Sequence, residues 1–256
     1  MEEISKLSMR KGFAVSALAI KIATFAVFSP LCETIGCTNM VVAQKQPKKD
    51  EIVKNIDLKP IEATKTEVFS YLKSSASQAD KLELMKKFVE KYGEPALDSL
   101  MVNITLNFGF NSFETYQEAT KDKDRSSQFA AFAYGIAYFK DRGFERVLSK
   151  VVQLGKTTLS ENYVLAHGIF TEAVYLMVDK KRIDLDKAGD KIAEELLKNE
   201  ISPVARQELL DWLGKISPST VCDVRDRAPV GDLRTMTAHQ VDYLTTRLGA
   251  VPCKKR

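Results

Sequence analysis

The sequence has 256 residues, of which 45% are hydrophobic and 28% are charged. A chain with this share of apolar residues can bury a core, which excludes global disorder. The formal net charge of +4 comes from 38 basic and 34 acidic residues mixed along most of the chain, whereas a dedicated nucleic-acid-binding protein concentrates its basic residues on one face. We therefore expect a globular protein and no nucleic-acid partner.

The N-terminal region has the pattern of a secretory signal. Residues 12–31 are almost entirely apolar, and Arg10 and Lys11 lie directly before them. A basic leader, an apolar stretch and small residues at a cleavage site define such a signal, and we place the cleavage after Ala43. Residues 1–43 are thus predicted to be a signal peptide, and the rest of the chain is predicted to be exported to the periplasm or the extracellular space.

Two other interpretations of this region remain open. The apolar stretch can stay as a membrane anchor, although Lys21 near its middle costs about 2.5–3.5 kcal/mol on insertion scales. Alternatively, Cys37 is acylated as in a lipoprotein, which the preceding Gly36 favours and Glu33 disfavours. All three interpretations place the folded part outside the cytosol, with membrane contact only through an uncleaved leader or a lipid on Cys37.

The sequence contains four cysteines, Cys32, Cys37, Cys222 and Cys253. Cleavage of the leader leaves the last two, and an oxidising compartment normally joins such a pair. We predict a disulfide between Cys222 and Cys253 that closes a loop of about 30 residues and stabilises the fold by about 3–4 kcal/mol on the chain-entropy model. Two free thiols are the alternative. Neither cysteine lies in a C-x-x-C motif, so we expect no metal site and no cofactor.

The segment after the leader is polar and contains two prolines. Residues 44–62 are basic at first, and we predict an extended linker there. A helical domain is predicted at 63–253, followed by a basic tail at 254–256. Thr64 and Glu67 have the spacing of a capping box, in which each side chain satisfies a backbone donor of the first helical turn.

Helical signals continue along this domain. Ser77 is expected to cap a second helix, and Gly93 is expected to end it. Residues 97–108 carry apolar side chains at helical spacing, but residues 102–108 also alternate as a half-buried strand does. We favour a helix there because the neighbouring segments are helical. Residues 103–105 form an N-glycosylation triplet, which has meaning only in a eukaryotic source.

Residues 129–139 are apolar or small on every side of a helix. A helix without a polar face must be buried all round, and spanning a bilayer takes about 20 residues. We therefore predict that this segment is the central helix of the core. Later amphipathic stretches predict helices at 144–155, 160–180, 184–196, 202–216 and 237–249, with a loop between residues 218 and 235.

Two short stretches of the predicted helices share an Ala-x-Gly-Ile pattern. Ala133–Ile136 and Ala166–Ile169 are 33 residues apart, which is close to the tetratricopeptide period. Small residues at these positions are expected to let neighbouring helices pack closely. We therefore predict a mainly α fold, either an irregular multi-helix bundle or a short array of helical hairpins with tetratricopeptide-like stacking.

The sequence carries no recognisable catalytic motif. Walker A loops, dinucleotide fingerprints and nucleophile elbows do not occur, so the catalytic residues are left unassigned. His167 lies within a predicted helix without ligand spacing around it, and His239 lies in the first turn of the last predicted helix. A lone helical histidine is usually packed in the core or half-exposed, so we expect no catalysis at either residue.

The favoured interpretation is an interaction or assembly protein of the cell envelope that binds a protein or peptide partner without catalysis. The alternative is a secreted hydrolase that acts on cell-wall glycan through an unidentified acidic residue, since such enzymes need only one or two acids in a cleft. A buried acid with a raised pKa in a cleft would favour the hydrolase, and an apolar or aromatic concave surface would favour the binder. The oligomeric state stays open.

Overall fold

The computed structural model describes residues 48–109, 115–157 and 163–225. In these ranges the backbone forms eleven helices and no strand longer than a single bridge position, which confirms the prediction of a mainly α fold. Contacts divide the chain into Met1–Gln44 and Lys45–Arg256, and every described residue belongs to the second unit. The predicted signal peptide, the last predicted helix and the basic tail lie outside the described residues.

The helices are numbered here in chain order. They are α1 Lys49–Ile56, α2 Ile61–Leu72, α3 Gln78–Tyr92, α4 Glu94–Phe108, α5 Tyr116–Ala119, α6 Lys123–Tyr138, α7 Lys140–Gly155, α8 Val164–Asp179, α9 Leu185–Lys198, α10 Pro203–Ile216 and α11 Pro218–Arg225. Within the described ranges, no helix combines the length and the apolar character that crossing a membrane requires.

Helix α6 lies at the centre of the core, as predicted for residues 129–139. Phe129, Phe132 and Ile136 are fully buried, and so are the alanines at 131, 133 and 137. Helices α3 and α8 pack most extensively on α6, while α2, α4 and α7 cover the rest of it. The small residues of α6 therefore leave room for neighbours on every side.

The long helices pack on one another in chain order. Helices α3, α6, α8 and α10 form a row in which each packs on the next, and α7, α9 and α11 also pack in sequence. Consecutive helices pair as well, α3 with α4, α6 with α7, and α10 with α11, and one residue connects the members of each pair. The result is a multi-helix bundle in which paired helices are stacked along the chain.

The glycines of the two matching stretches lie at close helix contacts. A Cβ on Gly135 would lie 2.7 Å from the Sδ of Met85, and a Cβ on Gly168 would lie 2.6 Å from the Cβ of Tyr116 and closer still to its ring. Both separations are shorter than carbon and sulfur atoms tolerate. Glycine therefore lets α3 approach α6 and lets α5 approach α8.

Most of the predicted helix ends are confirmed. Ser77, Asp184 and Ser202 each accept a hydrogen bond from the backbone N–H three residues later, at 3.2–3.3 Å. These side chains satisfy donors that have no partner inside the helix. Gly93 ends α3 with a φ of +58°, a conformation that glycine adopts without the strain of a Cβ.

The extended linker predicted at 44–62 is wrong where the structure describes this segment. Helix α1 lies inside it, packs on α2 and α3, and buries Ile52 and Ile56. The two isoleucines are one turn apart, so one face of an otherwise polar segment is apolar. Because tertiary packing supplies most of the stability of a short helix, this burial outweighs the polar composition.

The capping box predicted at Thr64 is also wrong. Helix α2 begins at Ile61 after Pro60, so Thr64 lies inside the first turns. Its buried hydroxyl instead forms a hydrogen bond of 2.7 Å with the hydroxyl of Tyr92 on α3. Proline can precede a helix at no cost because the first-turn N–H groups have no intrahelical partner.

Residues 102–108 are helical, as we favoured, and the strand alternative is wrong. They form the second half of α4. The alternating pattern arises because two of its apolar residues, Val102 and Leu106, are 57% and 67% exposed rather than part of the buried face. Apolar residues on a helix surface thus mimicked the period of a strand.

The loop predicted from residue 218 is helical over its first part. Helix α11 packs on α9 and α10, and its Val221 and Val224 are buried. Pro218 lies two residues after the end of α10, where the sequence predicts the start of a loop. Proline is equally suited to the first position of a new helix, which is the role it has here.

Candidate functional site

A groove of about 670 Å³ lies between α7 and α9. Leu148 and Val152 belong to its lining, lie one turn apart on α7, and are less than a tenth exposed. The polar part of the lining consists of Glu145, Ser149, Gln153, Lys156, Lys191, Glu194 and Glu195. The groove therefore has an apolar floor between charged walls.

The spacing of residues on each helix produces this groove. On α7 the lining residues recur three and four positions apart from 145 to 156, which places them on one face of the helix. Positions 191, 194 and 195 do the same on α9. The other face of α7 carries Val147 and Val151, which are fully buried in the core.

Carboxylates outnumber ammonium groups in the α7–α9 groove. Lys191 forms an ion pair with Glu145 from helix to helix. Lys198 forms an ion pair with Glu194 and thereby holds the pKa of that carboxyl below its usual value. Glu195 adds a third negative charge to the lining. Because these side chains are largely exposed, their ion pairs contribute little to stability.

A buried polar cluster joins α8 to α10. His167 Nδ1 hydrogen-bonds with Glu208 Oε2, and Thr171 Oγ1 donates to Glu208 Oε1 at 2.8 Å. Trp212 Nε1 in turn donates to Thr171 Oγ1 at 2.9 Å. His167 and Glu208 are only 5% and 9% exposed. Because the residues are four apart on each helix, the cluster follows one line of helix–helix contact.

A part-buried acid, Glu172, lies on α8 next to α5. Tyr116 donates its hydroxyl proton to Glu172 Oε2, and its ring stacks on Phe129 with 5.5 Å between the ring centroids. Burial raises the pKa of Glu172, and the hydrogen bond from Tyr116 opposes that rise. Burial also raises the pKa of Tyr116. The pair thus fastens α5 to the core.

The hydrolase alternative requires an acid of this kind in a cleft. Glu208 is buried and Glu172 is part-buried, but neither lines the α7–α9 groove or the groove between α3 and α6. Both accept hydrogen bonds that connect helices, so their geometry serves packing. His167 is the packed core histidine that the sequence suggested. No local sequence pattern predicts its partner Glu208, because 41 positions separate the two residues.

The second groove, of about 400 Å³, lies between the starts of α3 and α6. Lys81 is fully buried and donates from Nζ to the Oγ of Ser127, a lining residue, at 2.8 Å. It also donates to the carbonyl oxygen of Asp124 at 3.1 Å. Burial lowers the pKa of Lys81, while the charges of Asp124 and Asp122 oppose that change. Lys81 and Ser127 are 46 positions apart, so no local sequence pattern predicts this pair.

Several predicted site residues lie beyond what the structure describes. Cys222 lies in α11, but Cys253 is outside the described residues, so the disulfide stays a prediction. The same holds for acylation of Cys37, cleavage after Ala43 and the position of His239. Among the described residues, no three His, Cys, Asp or Glu side chains come together in a way that could hold a metal ion.

Comparison with known proteins gives no relative from which a site can be transferred. The two grooves and the buried cluster are therefore interpreted by their own geometry. No protein-family model, curated protein or solved structure matches the chain.

Proposed function

We propose that this chain is an exported helical protein of the cell envelope that binds a protein or peptide partner in the α7–α9 groove. The observation that carries the proposal is the apolar floor of that groove between its charged walls. An amphipathic helix binds such a groove by laying the apolar side chains of one face on the floor. Binding of this kind needs no chemical step.

The charge of the groove selects the partner. The lining carries three carboxylates, Glu145, Glu194 and Glu195, and two ammonium groups, Lys156 and Lys191. A partner helix with Lys or Arg beside its apolar ridge complements this charge. Electrostatic complementarity of exposed groups speeds association and weakens as salt is added.

The leader pattern supports the export part of the proposal. A basic pair precedes the apolar residues 12–31, and cleavage after Ala43 leaves Gln44 as the first residue. The intact mass of the protein recovered from the envelope distinguishes this product from an uncleaved chain and from a chain acylated at Cys37. The same mass reports the predicted disulfide through the loss of one hydrogen from each thiol.

A synthetic helix of about 15 residues built from leucine and lysine tests the groove, since shorter helices are marginal in water. Fluorescence anisotropy of the labelled peptide gives its Kd, and a peptide with glutamate in place of lysine is the charge control. Ser149→Trp places a large ring in the groove from an exposed position of α7. Asp190→Trp adds the same ring at an exposed position of α9 outside the lining and is the matched control.

We expect the leucine–lysine peptide to bind the wild type and Asp190→Trp with the same Kd. Ser149→Trp should weaken binding at least about tenfold, which corresponds to about 1.4 kcal/mol. The leucine–glutamate peptide should bind more weakly than the lysine peptide at low salt. Equal Kd values for the two tryptophan variants, or equal Kd values for the lysine and glutamate peptides, would contradict binding in the α7–α9 groove.

A further inference from the structure

Lys81 is a buried amine without a carboxylate partner. Its Nζ donates to Ser127 Oγ at 2.8 Å and to the carbonyl oxygen of Asp124 at 3.1 Å, and the residue is 0% exposed. In the part of the chain that the structure describes, no Asp or Glu forms an ion pair with it. Burial of an ammonium without a direct ion pair favours its neutral form, while the charges of Asp124 and Asp122 oppose that effect.

Ser127 connects this amine to the surface. It lies in the second turn of α6, and it is the member of the pair that lines the α3–α6 groove. The rest of the lining is mostly polar and rich in hydroxyl groups: Ser75, Ser77, Gln78, Thr120, Lys123, Asp124 and Ser126, with Ala76 as the apolar exception. The volume of about 400 Å³ lies in the range of small-molecule pockets, so a ligand of the size of an acetylated sugar fits it.

A serine hydroxyl is a weak nucleophile unless a base takes its proton. Lysine can be that base when burial favours its neutral form, and serine–lysine pairs recur on unrelated folds as variants of the serine triad. Burial lowers the pKa of Lys81, and its Nζ lies one hydrogen bond away from the groove, behind Ser127. In the structure Nζ donates to Ser127 Oγ at 2.8 Å, and the Ser127 hydroxyl donates to the carbonyl oxygen of Asp124 at 3.0 Å. When the amine is neutral, rotation of that hydroxyl toward Nζ lets the amine accept its proton.

We propose that Ser127 and Lys81 are the nucleophile and the base of a second site, which hydrolyses a short-chain ester of a polar alcohol bound in the α3–α6 groove. The hydroxyl and amide groups of the lining can form hydrogen bonds with a hydroxylated alcohol, such as a sugar. This site is separate from the α7–α9 groove and does not depend on the function proposed there.

The reaction balances without any further reactant than water. Ser127 Oγ forms a bond to the ester carbonyl carbon while its proton passes to Lys81 Nζ. The bond from that carbon to the alcohol oxygen then breaks, and the alcohol leaves with the proton from Nζ. Water repeats the sequence on the acylated serine, giving its proton to Nζ and its oxygen to the carbonyl carbon. Ser127 regains its proton, and the products are a carboxylic acid and an alcohol.

A purely structural role for Lys81 makes a different prediction. Lys81 also fastens α3 to the first turns of α6 through the carbonyl oxygen of Asp124. Arginine keeps the charge and the hydrogen bonds of that role, but it cannot accept a proton at ordinary pH. Lys81→Arg therefore separates fastening from base catalysis, because only catalysis requires a neutral nitrogen.

The test uses a fluorophosphonate probe, which attaches to activated serines, followed by peptide mapping. Full-length wild type is compared with Ser127→Ala, Lys81→Arg and Ser126→Ala, the last of which removes a neighbouring hydroxyl from the same groove. Hydrolysis of 4-nitrophenyl acetate and of an acetylated sugar is followed in parallel. Thermal unfolding reports whether each variant is folded.

We expect the probe on Ser127 in the wild type and in Ser126→Ala, with a labelling rate that rises with pH as Lys81 loses its proton. Ser127→Ala should lose labelling and ester hydrolysis, and folded Lys81→Arg should react at least about a hundredfold more slowly, within the range of general base catalysis. A wild-type Ser127 that resists the probe, or a folded Lys81→Arg that reacts at the wild-type rate, overturns the proposal. If Lys81→Arg does not fold, the wild type alone decides. Labelling of Ser127 no faster than that of Ser126, or a labelling rate of Ser127 that does not change with pH, overturns the proposal.

Discussion

Replacing Gly168 by alanine is expected to destabilise the protein, although alanine is the better helix former. A Cβ at this position would lie 2.6 Å from the Cβ of Tyr116 and closer to its ring, so α5 must move away from α8. The displacement breaks the hydrogen bond from Tyr116 to Glu172 and the stacking of its ring on Phe129. A single added methyl group therefore disrupts both contacts that hold α5 on the core.

The magnitude follows from three opposing contributions. Alanine gains about 1 kcal/mol over glycine inside a helix. Overpacking of a close contact costs about 1–3 kcal/mol, and a part-buried carboxylate that loses its donor costs about 1–3 kcal/mol. Gly168→Ala should thus lower the free energy of unfolding by about 3 kcal/mol.

Gly214→Ala is the matched control for this substitution. Gly214 also lies inside a helix, but a Cβ there would meet no atom within 4 Å. Only the gain of about 1 kcal/mol remains, so this variant should be more stable than the wild type. Urea unfolding followed by circular dichroism gives both values. If Gly168→Ala proves as stable as Gly214→Ala, the close packing of α5 on α8 is refuted.

Four further changes test the buried groups and the predicted disulfide. Glu208→Ala removes the acceptor of two buried hydrogen bonds and should cost about 3–5 kcal/mol in thermal or urea unfolding. Burial raises the pKa of Glu172, so above about pH 4 the folded state holds more protons than the unfolded state. The free energy of unfolding therefore falls as pH rises through the folded pKa. Glu172→Gln should remove that fall in urea titrations at a series of pH values. Burial lowers the pKa of Lys81, so the unfolded state holds more protons at this residue than the folded state does. The free energy of unfolding therefore rises with pH toward about pH 10.4, the usual lysine pKa. Lys81→Met should flatten that rise in the same titrations. Cys222→Ser should lower the free energy of unfolding of the oxidised protein by about 3–4 kcal/mol and leave that of the reduced protein unchanged.

Features encoded within a few residues could be predicted from the sequence. The caps at Ser77, Asp184 and Ser202 and the glycine that ends α3 are local hydrogen-bonding and backbone effects. The burial of α6 follows from its lack of any polar face. Each of these signals is complete within one helix and its flanks.

Features that depend on distant partners could not be predicted. Helix α1 is stabilised by two isoleucines that are buried where it packs on α2 and α3, whereas its polar composition alone predicts a solvated linker. Lys81 and Ser127 are 46 positions apart, and each alone has the pattern of an ordinary helical residue. The α7–α9 groove likewise exists only because two amphipathic helices lie side by side.

Packing in chain order also determines how the polypeptide can be assembled as it is synthesised. Each later helix of the row packs on a helix that has already been made, α6 on α3, α8 on α6 and α10 on α8. Contacts between neighbours in sequence form quickly, and nascent chains fold from the N-terminus onward. Before α8 has been synthesised, the apolar face of α6 that packs on α8 is exposed to solvent. Ribosome-stalled chains that stop before residue 164 should accordingly be captured by chaperones, and chains that include α8 should escape them.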